Sequence, residues 1–503
     1  MTTENNASEM NQNAAASANA DIPPQPVLAA PVPKPPRVFT SRERWLVLVA
    51  TAIGILYDRL IINNLESSDV VLFSGIFWLV YLLAFYLLFW NRIKTSKILW
   101  TVGGFAAALC CWPMIFDGAS SYGFLNFLVV PAVMMGHAVF FCGGYTLAEP
   151  GKVALEWLAG WFIKPFLAIN IFFGAMSSSA KDEKRATAKK IFTALTISAG
   201  MMLVILPLLL SADMVFSYYL KELVGDFNIS TLFWHLVAVF IAAILFYSFL
   251  WNIGFAPRKS AQNNEKKPRR ELDLLISCIV LGVVLFTYML FCSVQFTYLF
   301  AGAGLPGNMT YSEYAREGFA QIIVVCALNL LIFGVFLQFG KKNTALRAML
   351  VALLVLSGIM LTSGFARLRL YISVYDLTWL RLLSMWFIIY LAAVLVLCGA
   401  RMIKEGLPLI GICAIILLGW YTVLGYANPD ALVLKYNLEA NDYSVAWLED
   451  NRRYIRYDIS NNGLIVLLES DIPAEAYANI VSEPVGIDFS SMKAARLWNG
   501  RGL

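Results

Sequence analysis

Apolar stretches of roughly 18–25 residues recur along this chain, each long enough to cross a ~30 Å hydrocarbon core as a helix. The pattern predicts about eleven spans, at about 45–62, 70–90, 98–116, 123–147, 190–212, 232–254, 273–300, 319–339, 346–366, 380–400 and 406–427. A helix satisfies its own backbone hydrogen bonds, which lipid cannot do for it. A large soluble helical core would need polar faces at helical spacing, and these stretches mostly lack them. The expected fold is an all-α, polytopic integral membrane bundle.

Three regions break the pattern. Residues 1–44 form a Pro-, Ala- and Asn-rich tail that buries too little to order itself. It has no basic segment running straight into an apolar one, so it does not read as a cleavable signal peptide. In residues 151–178, Trp157, Trp161, Phe162, Phe166, Phe172 and Phe173 are interrupted by Lys152, Glu156, Lys164 and Pro165. That mixture predicts an amphipathic helix lying at the membrane interface. Residues 428–503 are polar enough for a small helical appendix, with amphipathic pieces such as YSVAWLEDNRRY and GLIVLLESD.

The net charge of +5 changes little, but its distribution changes the picture. Of 38 Lys and Arg residues, 25 fall in the N-terminal tail and alternate connections, 6 in the opposite connections and 7 in the appendix. Cytoplasmic loops of membrane proteins carry the excess of Lys and Arg. The expectation is a multi-pass protein of the cell membrane, plasma or inner, with a cytoplasmic N-terminus. An odd number of spans then places the C-terminus outside the cytoplasm.

Candidate chemistry is sparse. All eight cysteines lie in apolar segments without metal-ligand spacing and read as small buried hydrophobes. GAGLPG (Gly302, Gly304, Gly307) matches a dinucleotide fingerprint by letter. It follows an apolar helix instead of a strand and holds Pro306, so it reads as a turn. Asn228-Ile-Ser and Asn308-Met-Thr match glycosylation sequons. No catalytic motif, cofactor fingerprint or metal pattern stands out, and nothing points to nucleic acid. Inside the spans, His137, Gln295, Gln321 and Asn329 are the polar candidates, either lining a path or joining helices by hydrogen bonds. Asp58, Arg59 and His235 sit near span ends, where snorkelling or local pairing is expected.

The most unusual cluster lies in two connections on the charge-poor side. TYSEYAREGF carries Glu313, Arg316 and Glu317, and ARLRLYISVYDLTWLRL carries Arg367, Arg369, Tyr371, Asp376 and Arg381. These arginines oppose the charge rule. They fit either headgroup contacts and structural ion pairs, or a site for an anionic group such as a phosphate or carboxylate.

TYSEYAREGF, the stretch from Leu368 to Leu382 and NPDALVLKYN (Asn428 to Asn437) together give a resemblance over about residues 45–440. They resemble the bacterial multi-pass membrane family catalogued as domain of unknown function four-one-seven-three. The resemblance implies a polytopic bacterial inner or plasma membrane protein and supplies no reaction, cofactor or catalytic residue.

Three function classes follow. One is an envelope-associated scaffold, sensor or binding protein using the charge-poor side. The second is a transporter, flippase or channel for an ion, small solute or envelope lipid. The third is a membrane-embedded envelope enzyme. The near-absence of charge inside the spans argues against a proton-coupled carrier. The expected partners are the bilayer and an anionic lipid or envelope component.

Overall fold

The computed structural model describes residues 39–142, 150–177, 198, 201, 205, 209, 229–256, 271–295, 319–470, 472, 473, 476 and 477. Residues from Ser41 onward belong to one compact unit. Among the described residues, ten helices are long and apolar enough to cross a membrane. They are α1 (Ser41–Leu60), α2 (Val70–Ile93), α3 (Lys97–Cys111) and α4 (Ser121–Cys142). After the short helices α5 (Pro150–Phe162), α6 (Lys164–Leu167) and α7 (Ile169–Ser177) come α8 (Ile229–Gly254), α9 (Leu274–Gln295) and α10 (Phe319–Phe339). The last three spans are α11 (Thr344–Tyr375), α12 (Trp379–Ile403) and α13 (Leu409–Tyr426). The expected span at 190–212 lies almost wholly outside the described residues.

This is a multi-pass membrane protein of all-α fold. Leu275, Ile276, Ile279, Val283, Phe286 and Leu290 of α9 are all exposed. So continuous an apolar surface suits lipid and would associate in water.

The closest pair, α1 and α8, runs antiparallel. At one end the Trp251 indole Nε1 donates to Glu43 Oε1 at 2.9 Å; at the other, His235 Nδ1 lies 2.7 Å from Asp58 Oδ1. Between them, a Cβ added at Gly54 would meet the Val239 carbonyl oxygen at 2.8 Å. Glycine is what lets these backbones approach. The Glu43 end also holds Arg92, which donates to the Gly254 carbonyl at 3.0 Å.

Residues 150–177 fold as three short helices, broken at Ile163 and Ala168, not as one amphipathic helix. Pro165 in the first turn of α6 brings no N–H to a continuing helix. The freed groups find partners on neighbouring spans. The Ala168 amide donates to Ser248 Oγ at 2.9 Å and the Lys164 carbonyl accepts from Asn252 Nδ2 at 2.9 Å; the Trp157 indole Nε1 adds a side-chain bond to the Ala132 carbonyl at 2.9 Å.

Helix α11 continues to Tyr375, well past the expected end near residue 366. Leu368 and Ile372 keep the buried face in helical register through the arginine-rich stretch. Asp376, at φ 63°, then turns the chain.

Four more helices follow: α14 (Pro429–Ala440), α15 (Val445–Asp450), α16 (Arg452–Asp458) and α17 (Asn461–Glu469). Asn428, at φ 53°, ends α13 and starts α14, its side chain accepting from the Ala431 amide with Pro429 in the first turn. Leu434, Leu438, Leu448, Ile455, Leu464 and Leu467 form a core continuous with Leu368, Ile372 and Leu382 of α11 and α12. These helices are a cap packed onto one end of the bundle.

Candidate functional site at the capped end

Beside the shared apolar core, the cap is held to the bundle by amide and carboxylate side chains. Fully buried Asn437 on α14 mimics a backbone partner: the Leu377 amide donates to its Oδ1 at 2.7 Å, and its Nδ2 donates to the Leu377 carbonyl at 2.8 Å. One turn later, Asn441 Nδ2 donates to Asp376 Oδ1 at 3.1 Å. Trp447 Nε1 donates to Asp376 Oδ2 at 3.0 Å. The α11–α12 turn is thus read by three cap side chains.

A second seam joins the cap to the α3–α4 connection. Asn462 Oδ1 accepts from the Asp117 amide at 2.7 Å, and its Nδ2 donates to the Asp117 carbonyl at 2.9 Å. Asn461 Nδ2 donates to Asp117 Oδ2 at 2.8 Å, while Asn428 Nδ2 donates to the Asn462 carbonyl at 2.9 Å. Asp430 is buried and accepts from the Ser460 hydroxyl and amide. Burial pushes the Asp430 carboxyl above its ordinary value, with the Ser460 hydrogen bonds pulling the other way. Burial likewise lifts the neighbouring Tyr454 phenol to about 12.

The candidate residues separate on this frame. Glu313, Arg316 and Glu317 lie outside the described residues. Arg367, Arg369 and Tyr371 fall on the last turns of α11, where Arg367 is 7% exposed and Arg369 is open. Arg381 donates to the carbonyl oxygens of Tyr375 and Asp376 and, at 3.1 Å, to the Tyr371 hydroxyl. Its guanidinium lies 4.2 Å from the Tyr371 ring centroid. Arg381 therefore closes the helix end, and the Asp376 carboxylate receives Asn441 and Trp447.

Within the spans, His137 Nε2 lies 3.2 Å from the Tyr86 hydroxyl, which donates to the Leu99 carbonyl at 2.9 Å. Asn329 accepts from the Tyr288 hydroxyl at 2.7 Å and donates to Ser357 Oγ at 2.9 Å, tying α9, α10 and α11 together. Gln321 is exposed near the start of α10, and the Gln295 side chain lies outside the described residues. Among the described residues no group of three His, Cys, Asp or Glu side chains could hold a metal ion.

The sequence reading missed Asp117, Asn428, Asp430, Asn437, Asn441, Trp447, Asn461 and Asn462. Only Asn428-Pro429-Asp430 carries a local signal, a capped helix start. The cap also holds an open cleft of about 590 Å3 lined by Asp450, Asn451, Arg453, Tyr454, Tyr457 and Asp458.

A family model described as Domain of unknown function (DUF4153) matches residues 103–448. The match takes in most of the bundle and the first cap helices. The expected membership in a family of unknown function stands, under the number 4153 in place of four-one-seven-three. No curated protein and no solved structure matches.

Proposed function

The chain belongs to the DUF4153 family, whose description assigns no activity, and we propose that it works as a membrane-embedded binding or scaffold protein. Its recognition surface is the capped end of the bundle, on the extracytoplasmic side of a bacterial cell membrane. The observation that supports this reading is the anchoring of the cap. Buried Asn437 and Asn462, with half-buried Asn441 and Asp376, fix the cap by hydrogen bonds to two bundle connections. Rigid docking preorganises a surface and lowers the ordering cost of binding.

The cleft on α15 and α16 offers Arg453, Tyr454 and Tyr457 beside Asp450 and Asp458. Arg and Tyr are the side chains enriched at binding hot spots. The intramembrane polar groups support the same reading. His137 and Asn329 are engaged with Tyr86 and with Tyr288 and Ser357, an arrangement suited to holding helices together.

Photo-crosslinking residues placed singly at Arg453 and Tyr457 in intact cells test this. A discrete protein or envelope adduct from both, absent from the lipid-facing control at Leu87, is the expected result. Adducts no different from those at Leu87 would overturn it.

A further inference from the structure

A cavity of about 690 Å3 lies within the membrane-spanning region, walled by α1, α2, α4, α5, α6 and α8. That volume is within the ~300–1,000 Å3 of small-ligand sites. Its walls are apolar and aromatic, with Trp78, Met134 and Phe246 among them. Leu128, Phe166 and Ile241 line it and are also exposed on the outside of the bundle. The cavity therefore opens sideways onto the lipid-facing surface.

Two wall residues are out of keeping with a simple gap filled by hydrocarbon. Ser74 is 3% exposed and Tyr81 is 5% exposed, and both line the cavity. Neither hydroxyl has a hydrogen-bond partner among the described residues. Both hydroxyls are open to the cavity, so each can donate to an acceptor that enters it. Ser74, Trp78 and Tyr81 fall at i, i+4 and i+7 on one face of α2. Long side chains on a helix lean toward its N-terminus, which carries the Tyr81 hydroxyl toward Ser74. Ser74 lies four residues into α2, about 6 Å along its axis. That depth matches the boundary between lipid headgroups and hydrocarbon, where acyl esters lie.

We infer that this lateral cavity binds one acyl chain of an ester-linked membrane lipid, whose ester carbonyl accepts from the hydroxyls of Ser74 and Tyr81. The chain enters between α4 and α8 past Leu128 and Ile241, and lies against Trp78, Met134 and Phe246. The headgroup stays at the capped end of the bundle. This site is separate from the cap and stands or falls apart from it.

The test uses the full chain in lipid nanodiscs doped with a phosphatidylcholine carrying a diazirine on an ester-linked chain. An ether-linked diazirine analogue and a free diazirine fatty acid serve as the other arms, with adducts mapped by mass spectrometry. The ester probe is expected to label cavity residues such as Trp78 and Met134. Ser74→Ala with Tyr81→Phe removes two oxygens and no packing carbon, and lowers ester labelling about tenfold while leaving ether labelling unchanged. Ala242→Phe fills the cavity and removes cavity labelling by both lipid probes. Adducts confined to outer residues such as Leu87 and Val396 would overturn the site. Equal labelling of the cavity by ester and ether probes, or preferential labelling by the free fatty acid, would overturn the ester assignment. If Ala242→Phe does not fold, the paired hydroxyl variant decides alone.

Discussion

Asn437→Ala is the sharpest perturbation of the cap. Asn437 is fully buried, and both ends of its amide are spent on Leu377, at 2.7 Å and 2.8 Å. Removing the amide leaves a backbone N–H and a carbonyl without partners in a site where Leu377 is itself buried. Each orphan costs ~1–3 kcal/mol, and water entering the gap recovers part of that. A net loss of about 3 kcal/mol in cap docking follows, equivalent to roughly 100-fold faster exchange of amides protected by docking. Hydrogen exchange of α14 to α16 in nanodiscs reads this directly, with α1 and α8 as internal controls. Asn437→Asp is at least as damaging at neutral pH, because its carboxylate faces the Leu377 carbonyl. A change below about threefold for Asn437→Ala, or one shared equally by α1 and α8, would refute the reasoning.

Other outcomes follow from the same geometry. Asp430 has a raised carboxyl pKa, so its burial costs nothing extra while protonated and destabilises as pH rises through the folded value. Cap docking measured by exchange therefore tightens from neutral pH toward the ordinary carboxylate range, and Asp430→Asn flattens that dependence. His235→Ala strands the buried Asp58 carboxylate and costs ~3 kcal/mol, more than Asp58→Asn, as read by thermal unfolding in detergent. A Cβ at Gly103 would sit 2.2 Å from the Tyr86 hydroxyl oxygen, so Gly103→Ala costs ~1–3 kcal/mol. Adding Tyr86→Phe recovers part of that loss.

The bundle was legible because lipid imposes one rule everywhere: a span must be apolar, helical and long enough. Ten such helices appear where the apolar stretches lie, and the exposed face of α9 is made of the residues that pattern marks. The end of α11 was less legible. Charged Arg367 and Arg369 look like a loop by composition, yet Leu368 and Ile372 hold the helix against the core. The cap seams were not legible at all. Asn437 meets Leu377 across 60 positions, and Asn462 meets Asp117 across 345. An asparagine that copies a backbone partner leaves no periodicity or spacing in the sequence. Arg381 was noticed for its charge, but its partners are the carbonyls of Tyr375 and Asp376, which no side-chain pattern announces.

The claim that the cap is docked on the bundle, outside the cytoplasm, meets its most direct test in one cysteine pair. Asp117→Cys and Asn461→Cys replace side chains that lie 2.8 Å apart, in a chain whose native cysteines have been removed. In intact cells, a short membrane-impermeant bis-maleimide is expected to bridge the pair in most molecules, and Asn437→Ala should sharply reduce the yield. Bridging only after the cells are opened would invert the orientation, and no bridging under either condition would contradict the docked cap.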